Sequence, residues 1–207
     1  MKNILILLSL VLLSCQPYPH LFKIENGDII FIGESDGNLS KAITEVTQTD
    51  LKTQYSHIGI IEKEGKNYWV LHAAPENGSE RISLDEFLEK ERKNSKIIDV
   101  YRIQPHYQPN FKEAISMAKS MLGKPYNFTY SLSDTAYYCS DFVYHSFEKS
   151  SIFEMNPMTF KNPGEEEFNS GWIEFYRKLG REIPEGEMGC NPNGMASSEK
   201  LIKVGTL

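Results

Sequence analysis

Two β-rich runs, residues 56–61 and 68–74, flank the polar segment Glu62-Lys63-Glu64-Gly65-Lys66-Asn67, which holds one glycine. Runs of this kind on either side of a short glycine-containing turn form a β-hairpin, and so commit this part of the chain to an antiparallel sheet. Each run carries a histidine. With Glu64-Gly65 as a two-residue loop, His57 falls directly opposite His72, and opposed residues share a face with β-carbons about 4.5 to 5.5 Å apart. With Gly65-Lys66 as the loop they become diagonal neighbours on the same face, and a three-residue bulged loop separates them. A lone strand histidine usually reads as a satisfied polar group at a sheet surface. Two on one face of one hairpin point instead to one imidazole holding the other.

Around the hairpin the pattern is mixed. Asn26-Gly27-Asp28 is turn chemistry before an apolar run over 29–32 that ends at Gly33 and reads as a buried strand. A short helix is expected over 40–46. Ser83 with Glu86 forms a capping box, and Leu84, Phe87 and Leu88 give the stripe of a helix reaching about Lys93. A strand follows over 97–103. Asn110 with Glu113 repeats the capping signal, and Gly123 with Pro125 stops a helix over 111–122. Phe142, Val143 and Phe147 share one side of another helix, residues 172–179 before Gly180 form a third, and 201–204 is the last strand. With no internal repeat and no composition shift after residue 22, the fold class is α+β, a single domain over 23–207 in which an antiparallel sheet or small barrel packs against helices.

The chain has 207 residues, 40% hydrophobic and 24% charged, with 14 glycines and 10 prolines, which excludes disorder and collagen-like repeats. Its 22 basic against 28 acidic side chains give a net charge of -6, so there is no basic excess to neutralise a phosphate backbone, and nucleic acid is not an expected partner. At the N-terminus, Met1-Lys2-Asn3 and the apolar run over 4–13 are too short to span a bilayer but fit a secretory signal. Leu12-Leu13-Ser14-Cys15 resembles a bacterial lipoprotein signal. The reading is therefore a signal peptide over 1–14, lipidation at Cys15, a proline-containing tether over 15–22, and a mature protein anchored to the membrane of the cell envelope, periplasmic or outer.

No phosphate-binding loop, dinucleotide fingerprint or Gly-x-Ser-x-Gly elbow occurs, so no cofactor is expected. The spacing of histidines and cysteines matches no familiar zinc pattern, so no metal is expected either. Two thiols remain in the mature chain, with no disulfide implied between them. Cys139 stands in Tyr137-Tyr138-Cys139-Ser140-Asp141-Phe142-Val143, a small polar run leading into a helical stripe. A helix beginning there puts the thiol where the dipole favours thiolate; a start at Asp134 leaves it beyond the first turn. Cys190, in Gly-Cys-Asn-Pro-Asn-Gly, reads as incidental, and His106 and His145 as surface residues.

Tyr-Ser-His57-Ile-Gly-Ile, Val-Leu-His72-Ala, Gly-Lys-Pro-Tyr126-Asn-Phe and Tyr-Tyr-Cys139-Ser-Asp-Phe-Val, in that order, resemble the circularly permuted papain-like amidases, the permuted branch of the NlpC-like cysteine peptidases. These are related to the lecithin-retinol acyltransferase group. The likeness runs from Gly27 to about Pro192 and includes the early Gly-Asp-Ile-Ile. It implies Cys139 as nucleophile at a helix start, His57 as its base, and His72 in the third position that orients the base. Backbone N–H groups at the helix start are the oxyanion donors, with Tyr126 as a side-chain candidate. The implied reaction is attack on an amide of a peptide or acyl-amide substrate through a thioacyl-enzyme, with acyl transfer, ester cleavage or a non-catalytic binding role as alternatives. Substrate-contacting loops are expected over 34–39 and 150–170.

Overall fold

The run from Ile29 to Ile32 is buried throughout because strand β1 (Ile29–Gly33) is covered on both faces. Ile29 and Phe31 enter one hydrophobic core, Ile30 and Ile32 the other. The computed structural model describes residues 22–107 and 109–207. The signal peptide, Cys15 and all but the last residue of the tether lie outside the described residues.

β1 is a central strand of a six-stranded antiparallel sheet. The others are β2 (Tyr55–Glu64), β3 (Asn67–Ala74), β4 (Gly78–Ser83), β5 (Ile98–Ile103) and, after a two-stranded ribbon of β6 (Asn156–Pro157) and β7 (Met188–Gly189), β8 (Leu201–Thr206); the order is β4-β3-β2-β1-β5-β8. Helices α1 (Asn38–Val46), α3 (Phe111–Ser120), α4 (Cys139–Phe147), α5 (Ser170–Leu179) and α6 (Pro192–Ala196) bury their apolar residues with Phe31, Ile58, Ile60 and Leu71 on one face. Helix α2 (Leu84–Glu91) closes the other face, setting Phe87 among Ile61, Val70 and Ile98. The α+β reading therefore stands, as an open sheet rather than a barrel.

The expected caps form. Ser83 Oγ accepts from the Glu86 N–H, Asn110 Oδ1 accepts from the Glu113 N–H, and Gly180 ends α5 in the left-handed region at φ 65°. Unanticipated elements are β4, α6 and the small ribbon. β4, with the sequence Gly-Ser-Glu-Arg-Ile-Ser, lies at the sheet edge and lacks the apolar alternation of its neighbours.

The hairpin register corrects the directly opposed pairing of His57 and His72. Glu64 pairs with Asn67 and Ile60 with Leu71, so the loop is Gly65-Lys66 and the histidines are diagonal neighbours. Gly65 has φ 63° at the first loop position, where a type II′ turn requires glycine. Past Ile60 and Leu71 the two strands part. β2 stays with β1 through His57 opposite Ile32 and, past a bulge, to Tyr55 opposite Gly33, and β3 stays with β4 as far as Ala74 opposite Gly78. A gap thus opens between β2 and β3. The start of β2, bulged at Ile32/Gly33, is held by buried Asn193 of α6: its Oδ1 accepts from the Tyr55 N–H at 2.8 Å, and its Nδ2 donates to the Tyr55 carbonyl at 3.0 Å.

Candidate active site

Cys139 is the first residue of α4, after an extended Tyr138 (φ -93°, ψ 170°). The approach is fixed by backbone bonds from Tyr137 N–H to the Pro125 carbonyl and from Asn127 N–H to the Tyr137 carbonyl. This settles the helix start in favour of the thiol lying in the first turn. Helix α4 packs on β2 and β3, the two strands that part. In an antiparallel ladder successive residues direct their N–H groups to opposite neighbours; Ile61 donates to Asp28 beside β1, so Ile58 points its N–H towards β3, where the pairing has ended. That N–H and the Ser140 backbone act on the Cys139 thiol instead, while the Ser140 hydroxyl donates to the Cys190 carbonyl at 3.0 Å. Cys139 thus lies by Ile58, the strand neighbour of His57, whose ring packs with His72 against Phe87 of the other core.

The helix start and these donors favour thiolate, but they do not prevail. Burial, followed by the charge of Asp141, pushes the Cys139 thiol up to about 12. The resting nucleophile is a neutral thiol, and removing its proton requires a base.

His57 and His72 converge, with His57 Nε2 2.8 Å from His72 Nδ1 and the rings at 77° to each other. Phe87 packs against both. Beyond His72, whose register partner in β4 is Glu80, the Glu80 Oε1 lies 3.4 Å from His72 Nε2, an ion-pair distance without well-formed hydrogen-bond geometry. Burial, then the charges of His72 and Lys90, holds His57 well below the usual imidazole range; burial also lowers His72, against the opposing pull of Glu80. Both rings are therefore neutral near pH 7. A neutral His72 that turns its Nε2–H to Glu80 must accept at Nδ1, so His57 donates from Nε2 and keeps Nδ1 as its basic nitrogen.

Two spaces meet here. One, of about 370 Å³, is lined by Cys139 and Cys190 and by apolar side chains including Ile152, Phe153, Met158, Phe160 and Trp172. The other, of about 200 Å³, holds His57, Tyr126, Glu76 and Lys90 and is bordered by Ser35 and Leu39. Ile43, Ser56 and Tyr130 border both. The 34–39 and 150–170 loops thus contribute to the walls. Tyr126 stands on the His57 side, half-buried. Cys190 is not an isolated loop thiol: it shares the larger space with Cys139, and both cysteines are free. His106 is exposed, and His145 pairs with Glu148 at 3.3 Å, away from the histidine pair.

The order of these parts along the chain, histidine strands first and cysteine helix later, is accompanied by a match of residues 23–205 to the family described as permuted papain-like amidase enzyme, YaeF/YiiX, C92 family. The chain belongs to this family. It is 28% identical to the uncharacterised protein YiiX of Escherichia coli strain K12, over 99% of this chain and 96% of that protein. In fold it matches the crystal structure of yiiX from Escherichia coli O157:H7, with a TM-score of 0.71 and 24% identity over 90% of this chain and 99% of that one. Family membership supports the general class of cysteine-type amidase or peptidase. The solved yiiX is titled a metalloprotein. Among the described residues here, no group of three His, Cys, Asp or Glu side chains is arranged to hold a metal ion, and the His72 and Glu80 atoms are turned to each other. The described residues therefore offer no donor set that fits a metal centre.

Glu80, Tyr130 and Asp141 join the constellation without having been singled out in the sequence. The turn residues Asn77-Gly78 were the available signal for β4 and hence for Glu80 opposite His72. A further sequence feature has a structural reason: Gly59 follows the histidine strand's Ile58, and a β-carbon there would stand 2.9 Å from Val70 Cγ1 and 3.2 Å from both His72 Cβ and the Leu71 carbonyl oxygen. Gly59→Ala is expected to cost about 1–3 kcal/mol through overpacking and to shift His72 off His57. Thermal melts would register the first effect, and ring-nitrogen NMR shifts of the two histidines the second.

Proposed function

We propose that this protein is a cysteine amidase of the cell envelope, lipid-anchored at Cys15, that cleaves an amide joining an apolar acyl group to an amine. What supports the reading is a Cys139 thiol at a helix start lining an apolar cavity, with the His57–His72 pair in an adjoining groove that shares Ile43, Ser56 and Tyr130 with it. The apolar lining favours an N-acyl or lipid-linked amide over a polar cell-wall peptide.

His57 Nδ1 takes the proton of the Cys139 thiol as the sulfur attacks the carbonyl carbon. The carbonyl electrons move onto oxygen, and the oxyanion is met by N–H groups at the start of α4 that have no partner within the helix. Tyr126 is the side-chain candidate named by the motif. Collapse expels the amine, which receives the proton from His57 and leaves a thioester on Cys139. Water, activated by the neutral His57, then releases the acid. His72, backed by Glu80, fixes the tautomer of His57 and stabilises its protonated form.

Activated acyl esters of increasing chain length test this. Intact-mass measurement is expected to show one acyl adduct, on Cys139. Its formation rate is expected to rise about fourfold per methylene, the equivalent of roughly 0.8 kcal/mol of burial, until the cavity is filled. An added amine that diverts most of the acyl group from water would turn the reading to acyltransferase. Absence of a Cys139 adduct would reject both and leave the binding role.

A further inference from the structure

We infer that Tyr130 is a catalytic residue, its phenol O–H donating a hydrogen bond to the oxyanion that forms when Cys139 attacks its substrate; this rests on the amidase reading above. Four observations converge on it. Tyr130 borders both the apolar cavity of Cys139 and the groove of His57, so a scissile bond reaching from one to the other would pass beside it. Its side chain is 7% exposed, yet its hydroxyl has no well-formed hydrogen bond, the Tyr126 hydroxyl being the group it approaches. A buried hydroxyl without a partner is a net cost to the folded state, which a bound oxyanion would relieve.

The ring is also held in place at a cost. Tyr130 has φ 55°, the left-handed region that a tyrosine rarely adopts. The turn around it is fastened on both sides. Asn127 Nδ2 donates to the Ser131 carbonyl at 2.6 Å, Asn127 Oδ1 accepts from the Thr129 N–H at 3.0 Å, and Tyr176 donates to the Thr129 carbonyl at 2.9 Å. Tyr138 and Trp172 each pack on the Tyr130 ring with centroids 5.2 Å away. Strain that surrounding bonds over-determine in this way is characteristic of a positioned functional group. Finally, burial and the charges of Cys139 and Asp141 push the phenol above its ordinary range, so it stays protonated and can only gain by donating to a negative oxygen. The donor keeps its proton throughout; only the oxygen it faces changes charge.

Tyr130→Phe removes that one hydrogen bond and little volume. With the acyl substrate, kcat is expected to fall about 100-fold to 1000-fold, the range seen when one oxyanion donor is lost, with KM nearly unchanged. The melting temperature is expected to hold or rise, because the atom removed makes no well-formed hydrogen bond in the free protein. A long-chain aldehyde, which forms a tetrahedral adduct with the thiol, should lose affinity in the same proportion, while the corresponding alcohol should bind equally to both proteins. Loss of kcat together with a lower melting temperature and equal loss of alcohol binding would mark Tyr130 as structural and overturn the inference. So would unchanged kcat in Tyr130→Phe, or a loss confined to Tyr126→Phe. If the wild-type protein shows neither turnover nor an aldehyde adduct that depends on Cys139, the amidase reading itself fails; turnover that depends on Cys139 but not on Tyr130 rejects only the present inference.

Discussion

Cys139→Ala and His57→Ala are each expected to leave a folded protein in which acyl transfer is lost by a factor of about 10⁴ to 10⁶, as when one member of a nucleophile–base pair is removed. Cys139→Ala empties little volume and its melting curve should stay close to wild type, whereas His57→Ala also leaves the buried His72 Nδ1 unpaired and should melt lower while still folding. His72→Ala should retain a measurable rate, because it removes the group that orients the base and not the base itself. The pH profile distinguishes this arrangement from a preformed thiolate–imidazolium pair. The thiol is pushed up to about 12 by burial and Asp141, and His57 is held well below 6.5 by burial, His72 and Lys90. At rest both partners are neutral. Activity should therefore fall at acid pH, where His57 becomes protonated and can no longer accept, with kcat/KM flat from below 6.5 up to about 8. Alkylation of the free thiol should be slow at neutral pH and climb with alkalinity. Fast alkylation at pH 6, with a rate that does not change on adding base, would show that the ion pair exists and that the proton-transfer order is wrong.

Much of this architecture is legible because local chemistry and tertiary packing agree. Ser83 and Asn110 cap the helices they announce, Gly180 ends its helix in the left-handed region, and the uninterrupted Ile29–Ile32 run is a strand covered on both faces. The hairpin was legible as a hairpin but not in its register, since Glu64-Gly65 and Gly65-Lys66 are both plausible turns until the backbone conformation of Gly65 is known. The gap between β2 and β3 has no local signal at all. It arises because β3 follows β4 while β2 follows β1, a contest between partners far apart in sequence. Glu80 was obscured for a related reason: an edge strand made of polar residues does not alternate, so only the Asn77-Gly78 turn hints at the residue that will face His72. The chemical character of Cys139 is not set by its place in the helix alone. A helix start favours thiolate, but how deeply a thiol is buried, and beside which carboxyl, depends on the tertiary fold.

Asp141 is the residue whose replacement should change stability most. It lies in the first turn of α4, fully buried, with neither carboxyl oxygen in a well-formed hydrogen bond. The backbones of Tyr138 and Phe142 favour its ionised form, but burial outweighs them and pushes the carboxyl up to about 8, from an ordinary 3.8. A group whose folded value is raised contributes stability that is complete below the unfolded value and lost as pH rises through the folded one. Between pH 3.8 and 8 the folded chain thus holds a proton that the unfolded chain has released. At about 1.4 kcal/mol per pH unit, this penalty is on the order of 4 kcal/mol at pH 7 and levels off above about pH 8. The depressed histidines act in the other direction, withdrawing stability as pH falls below 6.5. Asp141→Asn keeps the shape and removes the ionisation, so it should melt higher than wild type, by a margin that grows from acid to about pH 8 and then stays constant. A margin independent of pH, or a wild type that melts higher at pH 9, would show that the carboxyl is not held neutral. The same substitution carries over to the reaction. In the wild type, ionisation of Asp141 above about pH 8 places a negative charge beside the sulfur and the developing oxyanion, and kcat/KM should decline there, whereas Asp141→Asn should hold its rate through the same interval.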